Sequence, residues 1–234
     1  MQILTRNEAT DRAAHLHVSA IDVVVDIRGA QDTTIPTYPV TSTLTMTSDE
    51  ERTFIDIVGD VTEVLLNGAP HPFEDDEDRV WVGGLPVGEP ITLQVRALAR
   101  YSRSGEGLHR YTDPEDGEVY LYTQFEPNDA HRAWPCIDQP DVKPEWTFHV
   151  IAPAGWVVSS NGIETGVEAV DERGALRHDF TPTRPLSSYI TAIVAGPWAV
   201  IEGGTWSGGA SDGGHAELAL RLLCRRTLAR YLDS

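Results

Sequence analysis

Apolar and polar positions alternate along most of the chain. In the opening segment Ala9, Ala13 and Leu16 fall at helical spacing, and Thr5 with Glu8 fits the S/T-x-x-E capping box, so a short N-terminal helix is predicted. Beyond it the period becomes two, which marks strands with one buried face. Residues 18–27, 40–47, 54–58, 61–66, 91–100, 119–125, 146–151, 176–180 and 189–194 read as strands. Turn chemistry separates many of them: Asn67-Gly68, Gly83-Gly84, Asp116-Gly117, Asn161-Gly162 and Arg173-Gly174. No long helix alternates with the strands, which disfavours a parallel α/β sheet. The expected fold is all-β, twisted antiparallel sheets or a β-sandwich with that one short helix. Residues 203–214 carry many glycines and read as a flexible loop. Leu218, Leu220, Leu222 and Cys224 then alternate as a further strand, and 227–234 resembles a helix start. The expected organisation is a β domain over 1–202 and, over 203–234, the opening of a second unit that does not close a core.

Composition narrows the class. At 234 residues the chain holds one large domain or one and a half, and a hydrophobic content of 41% with six Trp is too rich for disorder. Asp+Glu number 36 against 18 Lys+Arg, a net charge of −18 without a basic patch, which argues against a nucleic-acid partner. The longest apolar stretch, 190–201, contains Gly196-Pro197 and is too short for a bilayer, so no membrane partner is expected. No signal-peptide core opens the chain, and a cytoplasmic location is expected. Cys136 and Cys224 are too few for a disulfide framework or a zinc knuckle.

Most site chemistries fail on spacing. Eight His are present without an H-E-x-x-H. His15 and His17 could share a strand face but read as surface residues. His215-Ala216-Glu217 and Pro135-Cys136 mimic parts of a zinc-deaminase signature, in reversed order and with the second Cys missing. The run Glu74-Asp75-Asp76-Glu77-Asp78 lacks the alternation and glycine of a calcium loop and reads as a solvated hairpin loop. No metal ligand set is expected in this chain.

The informative stretch is 122–143, YTQFEPNDAHRAWPCIDQPDVK. Gln124 and Glu126 lie two apart, hence on one face of a strand ending at Pro127, with Phe125 pointing to the core. Asn128 or Asp129 is placed to cap a turn from Ala130 to Trp134. A carboxylate beside an amide suits a ligand ammonium and its neighbouring peptide groups. The same pair also reads as surface decoration near Arg132, and chemistry alone leaves both readings open.

This stretch resembles the N-terminal domain of M1-family zinc aminopeptidases, whose pattern runs Y-T-Q-x-E, a linker with Arg, then P-C-F-D-E-P-D and L-K. Tyr122, Thr123, Gln124, Glu126, Arg132, Pro135, Cys136, Asp138, Pro140, Asp141 and Lys143 match it. Residues 105–110 and 113–117 resemble the actinobacterial branch of the family, and 159–162 and 189–197 continue in register. The resemblance implies that Glu126 binds the free α-amino group of a peptide and that Gln124 contacts its first residue. It implies that Arg132 and Asp138 brace the loop, that zinc belongs to a catalytic domain joined in cis, and that this chain alone is inactive. Gln139 and Pro144 depart from the pattern and read as loop variations. The rival readings are a stand-alone, non-catalytic binding or docking module, and a sugar-binding sandwich using Trp81, Trp156 or Trp206.

Overall fold

Helix α1 (Arg6–His15) begins with both halves of a capping box. The Thr5 hydroxyl accepts from the Glu8 N–H at 3.3 Å, and the Thr5 N–H donates to Glu8 Oε2 at 2.9 Å. That backbone bond is the largest of several that hold the Glu8 carboxyl down at about 2. The computed structural model describes residues 4–209 and 215–231.

Strands follow almost without interruption. In chain order they are β1 (Leu16–Asp26), β2 (Thr37–Ser48), β3 (Thr53–Asp56), β4 (Gly59–Leu66), β5 (Ala69–Pro70), β6 (Glu74–Asp76), β7 (Arg79–Val82), β8 (Ile91–Arg100) and β9 (Gly107–Thr112). Then come β10 (Val119–Gln124), β11 (Glu145–Ala152), β12 (Val157–Ser160), β13 (Glu164–Ala169), β14 (Leu176–Phe180), β15 (Ile193–Gly196), β16 (Ala199–Gly209) and β17 (His215–Cys224). They form an eight-stranded sheet, β13-β14-β11-β1-β2-β8-β4-β5, a four-stranded sheet, β12-β15-β10-β9, a three-stranded sheet, β3-β7-β6, and the hairpin β16-β17.

The all-β reading therefore holds, with one exception to its antiparallel rule. β1 and β11 run parallel, Ile21 opposite Trp146 and Val23 opposite Phe148. The long chain between them returns through the other sheets, a connection that local periodicity does not encode. Alternation on β1, β2 and β8 turns Val23, Val25, Leu44, Leu93 and Val95 into the core. Burying such a side chain is worth about 1.5–3 kcal/mol.

Three further differences have local causes. Residues 189–194 are not one strand: Ser188–Ile190 is a 3-10 turn and β15 starts at Ile193. There the Thr191 hydroxyl and N–H both bond the Ser188 carbonyl, and that local bonding replaces a ladder. The glycines expected to form a loop lie partly in β16, where pairing with β17 carries residues 205–209 past an irregularity at 203–204; the rest of that segment is outside the described residues. The acidic run is half strand: Glu74–Asp76 pairs with β7, and Glu77 takes a φ of 55° in the turn. Of the tryptophans offered for sugar stacking, Trp156 is buried, Trp81 lies under the Arg52 guanidinium at 4.6 Å, and Trp206 is exposed.

A histidine clamp crosses the large sheet. His149 on β11 contacts Asp22 Oδ2 on β1 through Nε2 at 3.0 Å, and Asp179 Oδ1 on β14 through Nδ1. The Asp22 bond first, then that from Asp179, raises the His149 pKa above 6.5. Burial pushes the Asp179 carboxyl up, but Arg177 and His149 outweigh it and hold it below 3.8. The histidine contribution is thus fully present below about pH 6.5 and fades as pH climbs through the raised value. The Asp179 contribution is lost only as pH falls through its lowered one. His149→Gln is expected to cost about 1 kcal/mol, roughly 2–4 °C in Tm, at pH 5.5 and less at pH 9. Thermal melts at the two pH values check this; an equal loss at both contradicts it.

Candidate functional site

β10 lies between β9 and β15, and Gln124 is its last residue, paired with Gly107. Phe125 is buried and Glu126 is exposed, so the exposed–buried–exposed alternation runs one step past the ladder. The strand ends at Gln124 rather than at 125, and the chain turns over 126–128. Among the described residues the Gln124 and Glu126 side chains make no hydrogen bond or ion pair. In this chain Glu126 faces water. Both polar ends are free to meet a ligand.

The turn and the loop after it are firmly anchored. Phe125 packs edge-on against Trp134 at 4.9 Å, and Trp134 meets Phe148 of β11 at 5.2 Å. This aromatic chain ties the end of β10 to the large sheet. Asp129 precedes the 3-10 turn Ala130–Arg132 but makes no capping bond with its side chain. Its carboxylate instead accepts from Arg132 Nε at 2.6 Å, while Arg132 Nη2 reaches Glu106 at 3.5 Å. Asp129 therefore does not cap through its side chain, because the guanidinium is the stronger partner, and Asn128 does not cap the turn either. Gly107 sits beneath Arg132 with φ at +68°, and a Cβ there would lie 3.0 Å from Arg132 Cβ. Only glycine fits both constraints.

Asp138 is the buried hub of the loop. Its carboxylate accepts from the His131 N–H at 3.1 Å and the Ser188 hydroxyl at 2.6 Å, and meets His131 Nδ1 at 2.7 Å. Burial pushes its pKa up, but the His131 and Ser188 bonds outweigh burial and keep it below 3.8. Burial likewise lowers His131, and Asp138 more than reverses that. The Asp138 N–H donates to Asp56 Oδ2 at 2.9 Å, the same oxygen that accepts from Arg12 Nη1 at 2.8 Å. Cys136 forms a two-bond bridge with the Asp56 backbone, and burial raises its thiol well above 9.0.

Sequence reasoning missed Arg12, Asp56 and Gln139. Gln139 is no loop variation. It is buried, its Oε1 accepts from Arg12 Nε at 3.0 Å, and its Nε2 donates to the Ala9 carbonyl at 2.7 Å. Helix α1 thereby bolts the loop in place, with Arg12 also stacked over Phe54 at 4.2 Å. These partners are 127 and 130 residues apart, so no local motif could reveal them. The one available signal was an arginine on a helix with few apolar residues, which must find partners when buried.

No group of three or more His, Cys, Asp or Glu among the described residues could hold a metal ion. Among the same residues no helix is long and apolar enough to cross a membrane. The chain is 37% identical over 236 residues to an aminopeptidase N of Streptomyces lividans, an alignment covering 99% of this chain and 26% of that protein. It is 32% identical over 155 residues to an aminopeptidase N of Haemonchus contortus, 65% of this chain and 16% of that one. An aminopeptidase M1-D of Oryza sativa subsp. japonica is 31% identical over 140 residues, 58% and 16%. The chain therefore spans about a quarter or less of the length of these relatives. The family model described as the Peptidase M1 N-terminal domain matches residues 71–190, just over half of the chain, with β10, both free side chains and the Asp138 loop inside the match. The chain belongs to the Peptidase M1 N-terminal domain family.

Proposed function

We propose that this chain supplies the amine-recognition element of a zinc-dependent aminopeptidase. The observation that carries the reading is the Gln124/Glu126 pair: two free, exposed polar side chains at the end of a strand anchored by buried contacts. Glu126 receives the cationic α-amino group of a peptide, and Gln124 contacts the first residue through its amide. Arg132 and Asp138 hold the loop that carries them. A charged partner for the amine selects against blocked peptides, which leave the carboxylate unpaired.

The chemistry of bond cleavage belongs to a catalytic domain joined in cis, where M1 peptidases hold zinc. The residues of this chain do not fit that metal: there is no H-E-x-x-H and no three-ligand group among the described residues. The chain alone is accordingly expected to hydrolyse nothing. Residues 203–234, which include β17 with Leu218, Leu220 and Leu222 exposed, are read as the opening of that catalytic unit. The free thiols Cys136 and Cys224 favour a cytoplasmic setting.

The test is an assay of a polypeptide joining this chain to an M1 catalytic domain. It is expected to release the first residue from free-amine peptides and to leave the N-acetylated versions intact. Equal turnover of both would overturn the reading.

A further inference from the structure

The outer face of the four-stranded sheet carries a row of rings that leads to Gln124. Tyr120, Tyr122 and Gln124 alternate onto one face of β10. Opposite them in register on β9 stand Tyr111, His109 and Gly107. Tyr120 is buried against Trp198 at 4.7 Å. Tyr122 is not covered: it is 38% exposed, and its ring packs on His109 with centroids 4.9 Å apart and planes at 46°. Gly107 places no side chain across from Gln124. Gln124 thus stands between Gly107, over which the Arg132 side chain lies, and the Tyr122/His109 pair.

Beyond Tyr122 a recess of about 510 Å³ opens, bounded by Tyr111, Tyr120, Trp198, Leu223 and Leu228. Its walls are mostly ring faces and aliphatic groups, with Cys224 and the Arg225 guanidinium at one side, the latter paired with Asp113 at 2.9 Å. His109 adds no positive charge to the wall. Burial lowers its pKa below 6.5, and its Nδ1 accepts from the Gly105 N–H at 3.1 Å, so the ring is neutral at pH 7 with its proton on Nε2.

We infer that Tyr122, backed by His109, is a specificity-determining residue that receives the first side chain of the peptide and favours large apolar residues there. The inference rests on the proposed placing of the amine at Glu126. A residue held by its amine at Glu126 and touched by Gln124 has Tyr122 as the next outward side chain on that face, two residues away along the strand. An exposed ring next to an apolar recess gains most from a large apolar side chain and little from a methyl group.

Tyr122→Ala and Tyr122→Phe, in the polypeptide joining this chain to an M1 catalytic domain, test it with Phe-, Leu- and Ala-nitroanilides. Tyr122→Ala is expected to lower kcat/KM for the Phe and Leu substrates by about tenfold relative to the Ala substrate. Tyr122→Phe is expected to keep the wild-type order. Urea unfolding of each variant shows that the sheet is intact, and Ki values for phenylalaninamide against alaninamide provide the same comparison without turnover. An equal effect of Tyr122→Ala on all three substrates, or none, overturns the inference. Glu126→Gln on the same panel separates the two levels. If it weakens all substrates alike while Tyr122→Ala is flat, only the side-chain inference fails; if it changes nothing, the amine reading itself fails.

Discussion

Glu126→Ala, in a polypeptide joining this chain to an M1 catalytic domain, is expected to lower kcat/KM for free-amine peptides by roughly 30- to 900-fold. That corresponds to about 2–4 kcal/mol of transition-state binding. The size reflects where the charge becomes valuable. In this chain the carboxylate faces water and has no partner among the described residues, so the substitution is expected to change folding stability by no more than about 0.5 kcal/mol. Once substrate and a second domain exclude solvent, the same ammonium–carboxylate contact acts in a lower dielectric and strengthens several-fold. Loss of the partner then leaves the amine buried and uncompensated. The expected pattern is a large kinetic effect beside a silent urea midpoint. A drop in both would assign Glu126 to the fold rather than to the ligand.

Asp138→Ala is expected to do the reverse, costing about 3–5 kcal/mol of folding stability. It removes the acceptor for the His131 N–H and ring and for the Ser188 hydroxyl, all of them buried. It also leaves an imidazole whose folded pKa depends on that carboxylate. Asp138→Asn keeps the volume and part of the bonding and is expected to cost less. The pH profile carries a sign. The folded Asp138 pKa lies below 3.8, so its contribution is present above that value and is lost as pH falls through the lowered one. His131, raised above 6.5, contributes fully below that value and less as pH rises through the folded one. The gap between wild type and Asp138→Ala in urea unfolding is therefore widest between about pH 4 and 6.5. A loss under 1 kcal/mol at pH 5.5 would contradict the hub assignment. Because the loop also carries Glu126, the same variant is expected to lose activity in proportion to its unfolded fraction.

Strands β1, β2 and β8 were legible because their pattern of alternating burial comes from residue type alone. β13, with the sequence ETGVEA and almost entirely exposed, carries no such pattern; hydrogen bonding to β14 makes it a strand. The glycines of β16 point the wrong way locally and are overridden by β17 in the same manner. The candidate site divides along the same line. The spacing of Gln124, Phe125 and Glu126 encodes which side chains face out, and Pro127 marks the turn. The bolts that hold the turn, Arg12, Asp56 and Gln139, come from three distant elements. Their roles are long-range packing facts with no local signature. The Tyr122/His109 pair is likewise a cross-strand relation, invisible until the β9–β10 register is known.

Recognition of the peptide amine by Glu126 can be measured by inhibition of such a polypeptide with leucinamide and with its des-amino analogue. Wild type is expected to prefer leucinamide by at least tenfold, and Glu126→Gln to erase the preference by weakening leucinamide alone. A preference that survives Glu126→Gln would contradict it.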